Sequence, residues 1–201
     1  GGTLVFAKRM TAGTVGTYPT VYLRVQEGRC VFEGAVKDVS LYSGLWSGSV
    51  LTEIPEIVFG PESSLSGVTY LAGVTSDASV DPAPGNGLIT QLGGNISPSS
   101  GWGTAASMAQ GRAGQVAATG TYHLVSGSFV IPSGKTMALA EYNSYGIFTQ
   151  DGGESRIATI EYNDGTRRGE VNLNGGRMTV GAVGRNNQIR FNFAGGTFAP
   201  A

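Results

Sequence analysis

The chain has 201 residues, 40% of them hydrophobic, which is enough for a packed core and argues against disorder. Only 13% are charged and the formal net charge is −1, so no excess of Lys and Arg is available to neutralise phosphates, and nucleic-acid binding is not expected. No apolar run approaches ~18 residues, so no membrane insertion by a helix is expected either.

In chain order, Leu4–Ala7 reads as a short strand, and Val21–Val25 and Arg29–Glu33 as a hairpin across Gln26-Glu27-Gly28. Ser40–Trp46 and Ser49–Ile54 follow, then Ile57–Phe59 after Pro55, and Val68–Val74 between two turn signals. Asp81–Gly87, with two Pro and two Gly, is the strongest punctuation in the chain and marks a boundary. These signals divide the chain into an N-terminal β segment at 1–80, a Pro/Gly/Ala-rich linker or arm at 81–120, and a C-terminal β-meander at 121–201, unless all three form one domain. Within the middle part, Gly93–Gly120 is rich in Gly, Ala and Ser and shows little alternation, with Thr104–Gln110 able to form a helical turn or two capped by Thr104. It reads as an arm, ordered only against a neighbour, with Trp102, Met108 and Ile96 as its interface anchors.

From Thr121 the β pattern resumes with Tyr122–Val125, Ser128–Ile131, Met137–Tyr142 and Gly146–Thr149. Arg156–Tyr162, Glu170–Leu173, Met178–Val183 and Ile189–Phe193 then alternate apolar and polar residues between Asn-Asp-Gly, Asn-Gly-Gly and Gly-Arg-Asn-Asn turns. Residues 154–198 are therefore expected to form a four-stranded antiparallel meander with Ile160, Leu173, Val180, Phe191 and Phe193 on its dry face. About a dozen short strands joined by tight turns predict an all-β protein, an antiparallel sandwich or jelly roll. A fixed period of 20–50 residues is not found, which argues against propellers and solenoids.

Motifs that would carry chemistry are weak. Ser133-Gly134-Lys135-Thr136 resembles the tail of a phosphate loop, but Phe129 stands where the first Gly is needed, so it reads as a turn. The single histidine, His123, excludes a two-His zinc site and reads as a strand residue. Asp151-Gly152-Gly153-Glu154 lacks the ligand density of a calcium loop and reads as a hairpin turn. Cys30, the lone cysteine, sits beside apolar residues and reads as a buried, inert thiol. Tyr18, Tyr22, Tyr42, Trp46, Trp102, Tyr142 and Tyr145 are available as stacking platforms for sugars, though aromatics at strand positions more often face a core.

No catalytic residue, cofactor or metal is therefore expected. The reading that remains is a non-enzymatic structural subunit of a homo-oligomeric surface assembly, a phage or virus particle component such as a capsid-associated, decoration or tail protein. Its partners are copies of itself and other subunits, with a surface glycan as a further candidate, and its place is a virion or an extracellular surface assembly. The alternatives are an extracellular pilin or adhesin, and a polysaccharide-binding or polysaccharide-cleaving β domain. The chain opens with Gly1-Gly2 rather than Met, which is expected of a processed, trimmed or excised polypeptide.

Overall fold

The structure, a computed structural model, describes residues 2–15, 18–19, 21–44, 53–73, 86–101, 103–110, 118–141, 144–163, 169–184 and 189–201. Every secondary-structure element among them is a strand. Eight strands form one all-parallel sheet, the first face: β1 (Thr3–Phe6), β6 (Arg29–Phe32), β9 (Glu56–Phe59), β12 (Asn86–Gln91), β15 (Thr119–Leu124), β18 (Tyr145–Gln150), β20 (Gly169–Leu173) and β22 (Ile189–Phe193). A second parallel sheet has two arms. One, the second face, runs β2 (Met10–Thr11), β7 (Ala35–Lys37), β10 (Ser64–Ser66), β13 (Asn95–Ile96), β16 (Ser128–Ile131) and β19 (Glu154–Asn163). The other, the third face, runs back through β17 (Thr136–Glu141), β14 (Thr104–Gln110), β11 (Leu71–Ala72), β8 (Val39–Ser43) and β5 (Val21–Val25). The long β19 serves both arms, pairing with β16 through Glu154–Ile157 and with β17 from Ile160 onward. It also pairs with β21 (Arg177–Val183), which in turn pairs with β23 (Thr197–Pro200). One short antiparallel pair, β3 (Thr14–Val15) with β4 (Tyr18–Pro19), stands apart.

The chain thus winds through the three faces in turn, and each strand hydrogen-bonds to its counterpart one winding later. This is a parallel β-solenoid, built of stacked rungs. It corrects the expected antiparallel sandwich or jelly roll, and it corrects the exclusion of solenoids. The 154–198 meander is also absent: β20 and β22 pair with each other in the first face, while β19, β21 and β23 lie in the second sheet. Likewise β5 and β6 are not a hairpin but occupy different faces. The alternation itself was a sound signal, since a solenoid strand is dry inside and wet outside, as an antiparallel strand is. What the local pattern lacks is the partner's identity.

Gly93–Gly120, of which 102 and 111–117 lie outside the described residues, is not an arm where it is described. It contains β13, the seven-residue β14 in place of a helical turn, and the start of β15, all inside the ladders. Small side chains are used there because the faces approach closely. Gly87, Gly120 and Gly146 are in register on the first face, and a Cβ on Gly120 would overlap the carbonyl oxygen of Met108, one on Gly146 that of Leu139. No side chain fits between these backbones.

Interior side chains stack in columns along the axis. On the first face one column reads Cys30, Ile57, Ile89, Tyr122, Phe148 and Val171, all buried. The next reads Phe6, Phe32, Phe59, Gln91, Leu124, Gln150, Leu173 and Phe193, in which Phe6, Phe32 and Phe59 stack at 5.1 and 5.8 Å. The second face contributes Val36, Leu65, Ile96, Phe129, Ser155 and Met178, and the third Leu41, Leu71, Ala106, Met137 and Ile160. Each fully buried Phe or Leu contributes roughly 1.5–3 kcal/mol. Ile160, Leu173 and Val180 are buried as expected, whereas Phe191 is half-buried and Phe193 is 57% exposed on the last described rung.

Two buried glutamines tie rungs together. Gln91 Nε2 donates to the carbonyls of Gly94 and, one rung on, Ser128, while its Oε1 accepts from the Tyr122 hydroxyl. Gln150 repeats the arrangement, donating to Gly153 and Arg177 carbonyls and accepting from Ser155 Oγ. The corners they bind turn through left-handed glycines, Gly94 at φ 70° and Gly153 at φ 66°.

Candidate functional site

The outer side of the third face gathers the aromatic and hydroxyl groups that the interior does not use. Tyr22 on β5, Tyr42 on β8 and Tyr70 just before β11 come from three successive rungs. Strand alternation turns Tyr22 and Tyr42 outward, because Leu23 and Leu41 between them take the inner column. Tyr22 is in register with Ser40, and Ser40 Oγ accepts from the Tyr70 backbone N–H at 3.3 Å, so the three tyrosines flank one buried serine. Their ring centroids are 6.1 Å (Tyr22–Tyr42) and 5.7 Å (Tyr42–Tyr70) apart, tilted by 32° and 42°. The Arg24 guanidinium lies 5.6 Å from the Tyr42 centroid, a cation–π contact. Burial pushes the Tyr42 phenol up to about 12, with the neighbouring Tyr22 phenol adding and Ser40 and Arg24 opposing. Tyr22 is 53% exposed.

Farther along the same face the outward positions are small: Ala72, Ser107 and Ala138 are in register and buried. Beside them lies Glu141, a nearly buried carboxyl. Desolvation raises its pKa, and a hydrogen bond from Gln110 opposes the rise. Tyr70 is also raised, first by burial and then by Glu141, while Ser107 works against the shift. A buried carboxyl with a phenol beside it is the kind of group that marks functional sites, though structural networks produce it too.

A second polar cluster lies on the first face. His123 Nε2 is 2.6 Å from Asp151 Oδ2, and Asn174 Nδ2 donates to Asp151 Oδ1 at 2.8 Å. These bonds from Asn174 and then His123 lower the Asp151 pKa. Outward neighbours in register with His123 are Thr90 and Thr149, followed by Asn172 and Asn192, which hydrogen-bond to one another at 2.7 Å.

Of the expected interface anchors, Ile96 and Met108 are fully buried in the chain's own interior and present no surface to a neighbour; Trp102 lies outside the described residues. Cys30 is buried between rungs, which pushes its thiol up to about 11 and makes it a poor nucleophile, as expected. The phosphate-loop look-alike is a corner: Gly134 has φ 74° and Lys135 N–H bonds to the Pro132 carbonyl. Asp151–Glu154 is the corner between β18 and β19 rather than a hairpin, and no cluster of three metal-ligating side chains is found among the described residues. Sequence reasoning included Tyr22 and Tyr42 among sugar platforms but not Tyr70, and it missed the His123–Asp151 pair. Tyr70 had no signal without the rung register, and His123 and Asp151 become neighbours only because β15 and β18 pair. No protein-family model, curated protein or solved structure matches the chain.

Proposed function

We propose that the chain is a non-enzymatic structural subunit of a homo-oligomeric surface assembly, of the kind that builds a phage or virus particle. What supports this reading is how its polar side chains are employed. Gln91 and Gln150 bridge rungs inside the core, and Ser155 and Tyr122 complete their bonding. Asp38, in the left-handed region at φ 58°, accepts from Val68 N–H of the following rung. Glu56 takes both Arg29, at 3.0 Å, and Thr90, at 2.6 Å, from neighbouring rungs on either side. Glu170 pairs with Arg190 in the same way. Groups that would otherwise be available for chemistry hold one winding to the next, which suits a rod that bears load.

Native mass spectrometry and negative-stain electron microscopy of the purified chain test this over a wide concentration range. Defined multimers are expected. A strict monomer at every concentration overturns the assembly. Polysaccharide or ester turnover abolished by Glu141→Gln or His123→Ala overturns the non-enzymatic reading.

A further inference from the structure

The geometry points to a saccharide-binding site at the tyrosine cluster of the third face, formed by Tyr22, Tyr42 and Tyr70 with Ser40 and Arg24, and taking a neutral sugar chain. Aromatic side chains inside this protein are packed into closed columns: Phe6, Phe32 and Phe59 on one line, Tyr122, Phe129 and Phe148 around another. The interior tyrosine, Tyr122, has its hydroxyl consumed by Gln91. The third-face tyrosines are placed differently, although the Tyr42 hydroxyl is likewise engaged, by Ser40. They lie on the outer side of the sheet, Tyr22 exposed and Tyr42 and Tyr70 partly buried, and they zigzag between two adjacent outward columns rather than following one.

The zigzag matters for what can bind. Rings in a single column would cover each other's faces at the strand spacing of roughly 4.8 Å. Here the centroid separations of 6.1 and 5.7 Å and the tilts of 32° and 42° keep the rings out of tight mutual stacking. The cluster is a stepped aromatic surface with the exposed Tyr22 phenol at its edge, and Ser40 is buried beneath it. Apolar C–H faces of a pyranose pack on such rings, and the sugar hydroxyls need donors and acceptors at the rim. Arg24 holds Tyr42 from one side through its cation–π contact, so the platform is ordered before a ligand arrives. The outward positions beyond Tyr42 are the uncharged Ala72, Ser107 and Ala138, with Glu161 next in the column. The charges nearest the rings, Arg24 and Glu141, are of opposite sign, so no single-sign field selects a charged ligand. The assembly proposed above does not depend on this site.

A glycan microarray probed with the full chain, followed by calorimetry with the best-retained oligosaccharide, tests the assignment. At least one neutral glycan should be retained, and Tyr22→Ala should weaken it roughly tenfold or more, the scale of one lost aromatic contact. Because Tyr22 is exposed, its variant should keep the circular dichroism and thermal midpoint of the parent. Tyr22→Trp should retain binding where Tyr22→Ala loses it. The assignment is wrong if no glycan is retained, or if retention is indifferent to Tyr22→Ala. It is also wrong if only acidic glycans bind and they are lost with Arg24→Ala but not with Tyr22→Ala, which would make the contact purely electrostatic.

Discussion

The corner that leaves the first face and the corner that returns to it follow opposite rules. Leaving the first face, the chain takes two to four residues in every rung, from 33–34 between β6 and β7 to 60–63 between β9 and β10. Five of these corners close on an in-step left-handed glycine: Gly94, Gly127, Gly153, Gly176 and Gly196. Returning, the connection ranges from three residues, at 26–28, to thirteen, at 73–85. Loop length is thermodynamically inexpensive, because closure entropy grows only logarithmically. Re-entry is another matter. Two residues past three of those connections stand Gly87, Gly120 and Gly146, wedged against the third-face backbone. Length at this corner is unconstrained, whereas the position where the chain rejoins the rung is not.

The sharpest way to break that contrast is Gly120→Ala. A single methyl must displace the Met108 backbone, so the loss in urea denaturation should exceed about 4 kcal/mol. If the variant is near parental, the faces are not in contact and the contrast is mistaken. Next comes Gln150→Ala, which leaves the Gly153 and Arg177 carbonyls and Ser155 Oγ without their buried partner. Its expected cost is roughly 2–4 kcal/mol by the same measurement. Gly153→Ala probes the strict corner twice over, since φ 66° is disfavoured for a residue with a Cβ and that Cβ would meet the Gly127 backbone one rung back. A loss of about 1–3 kcal/mol is expected.

Glu141→Gln sharpens the comparison from the third face with the opposite sign. Burial raises the folded-state pKa above the ordinary 4.5. Between those two values the folded chain holds a proton that the unfolded chain releases, so stability is greatest below 4.5 and falls as pH climbs through the window. The substitution should remove that loss, flattening the pH dependence and raising the unfolding midpoint at pH 7. A lower midpoint there would mean the ionised carboxylate is held by partners that stabilise it. The smallest effect belongs to Gly103→Ala. Open space surrounds a Cβ at that position, so the change should stay within about 0.5 kcal/mol, which separates loss of space from loss of glycine as such.

Strands were legible in the sequence, and so were most inward positions. Ile131, Met137, Ile157, Leu173 and Val180 follow local alternation and are buried. Pairing was not legible. The Gly-Gly and Ser-Gly doublets ending at Gly94, Gly127, Gly153, Gly176 and Gly196 do recur, but 33, 26, 23 and then 20 residues apart. A search for one fixed period fails on such a series, because the variable returning connections hide it. The strict corner resembles a hairpin turn over three residues, so Asp151–Glu154 and Asn174–Gly176 read as hairpins. Thr104–Gln110 failed for another reason. Its outward positions, Ala105, Ser107 and Ala109, are as buried as its inward ones, so no alternation survived to mark a strand. The tyrosine cluster needed the register of three rungs before Tyr70 could join it.

Gln91 and Gln150 have a consequence for how the chain acquires its structure during synthesis. Each amide finds its second carbonyl only in the following rung, Gln91 at Ser128 and Gln150 at Arg177. Each amide is therefore satisfied by a segment made 27–37 residues later. Contact order is set by the length of one winding rather than by the length of the chain, which permits growth from one end as a nascent polypeptide emerges. The amides act as checkpoints along that path. A winding that slips past its neighbour strands a buried amide, a penalty that phenylalanine in the same column would not impose.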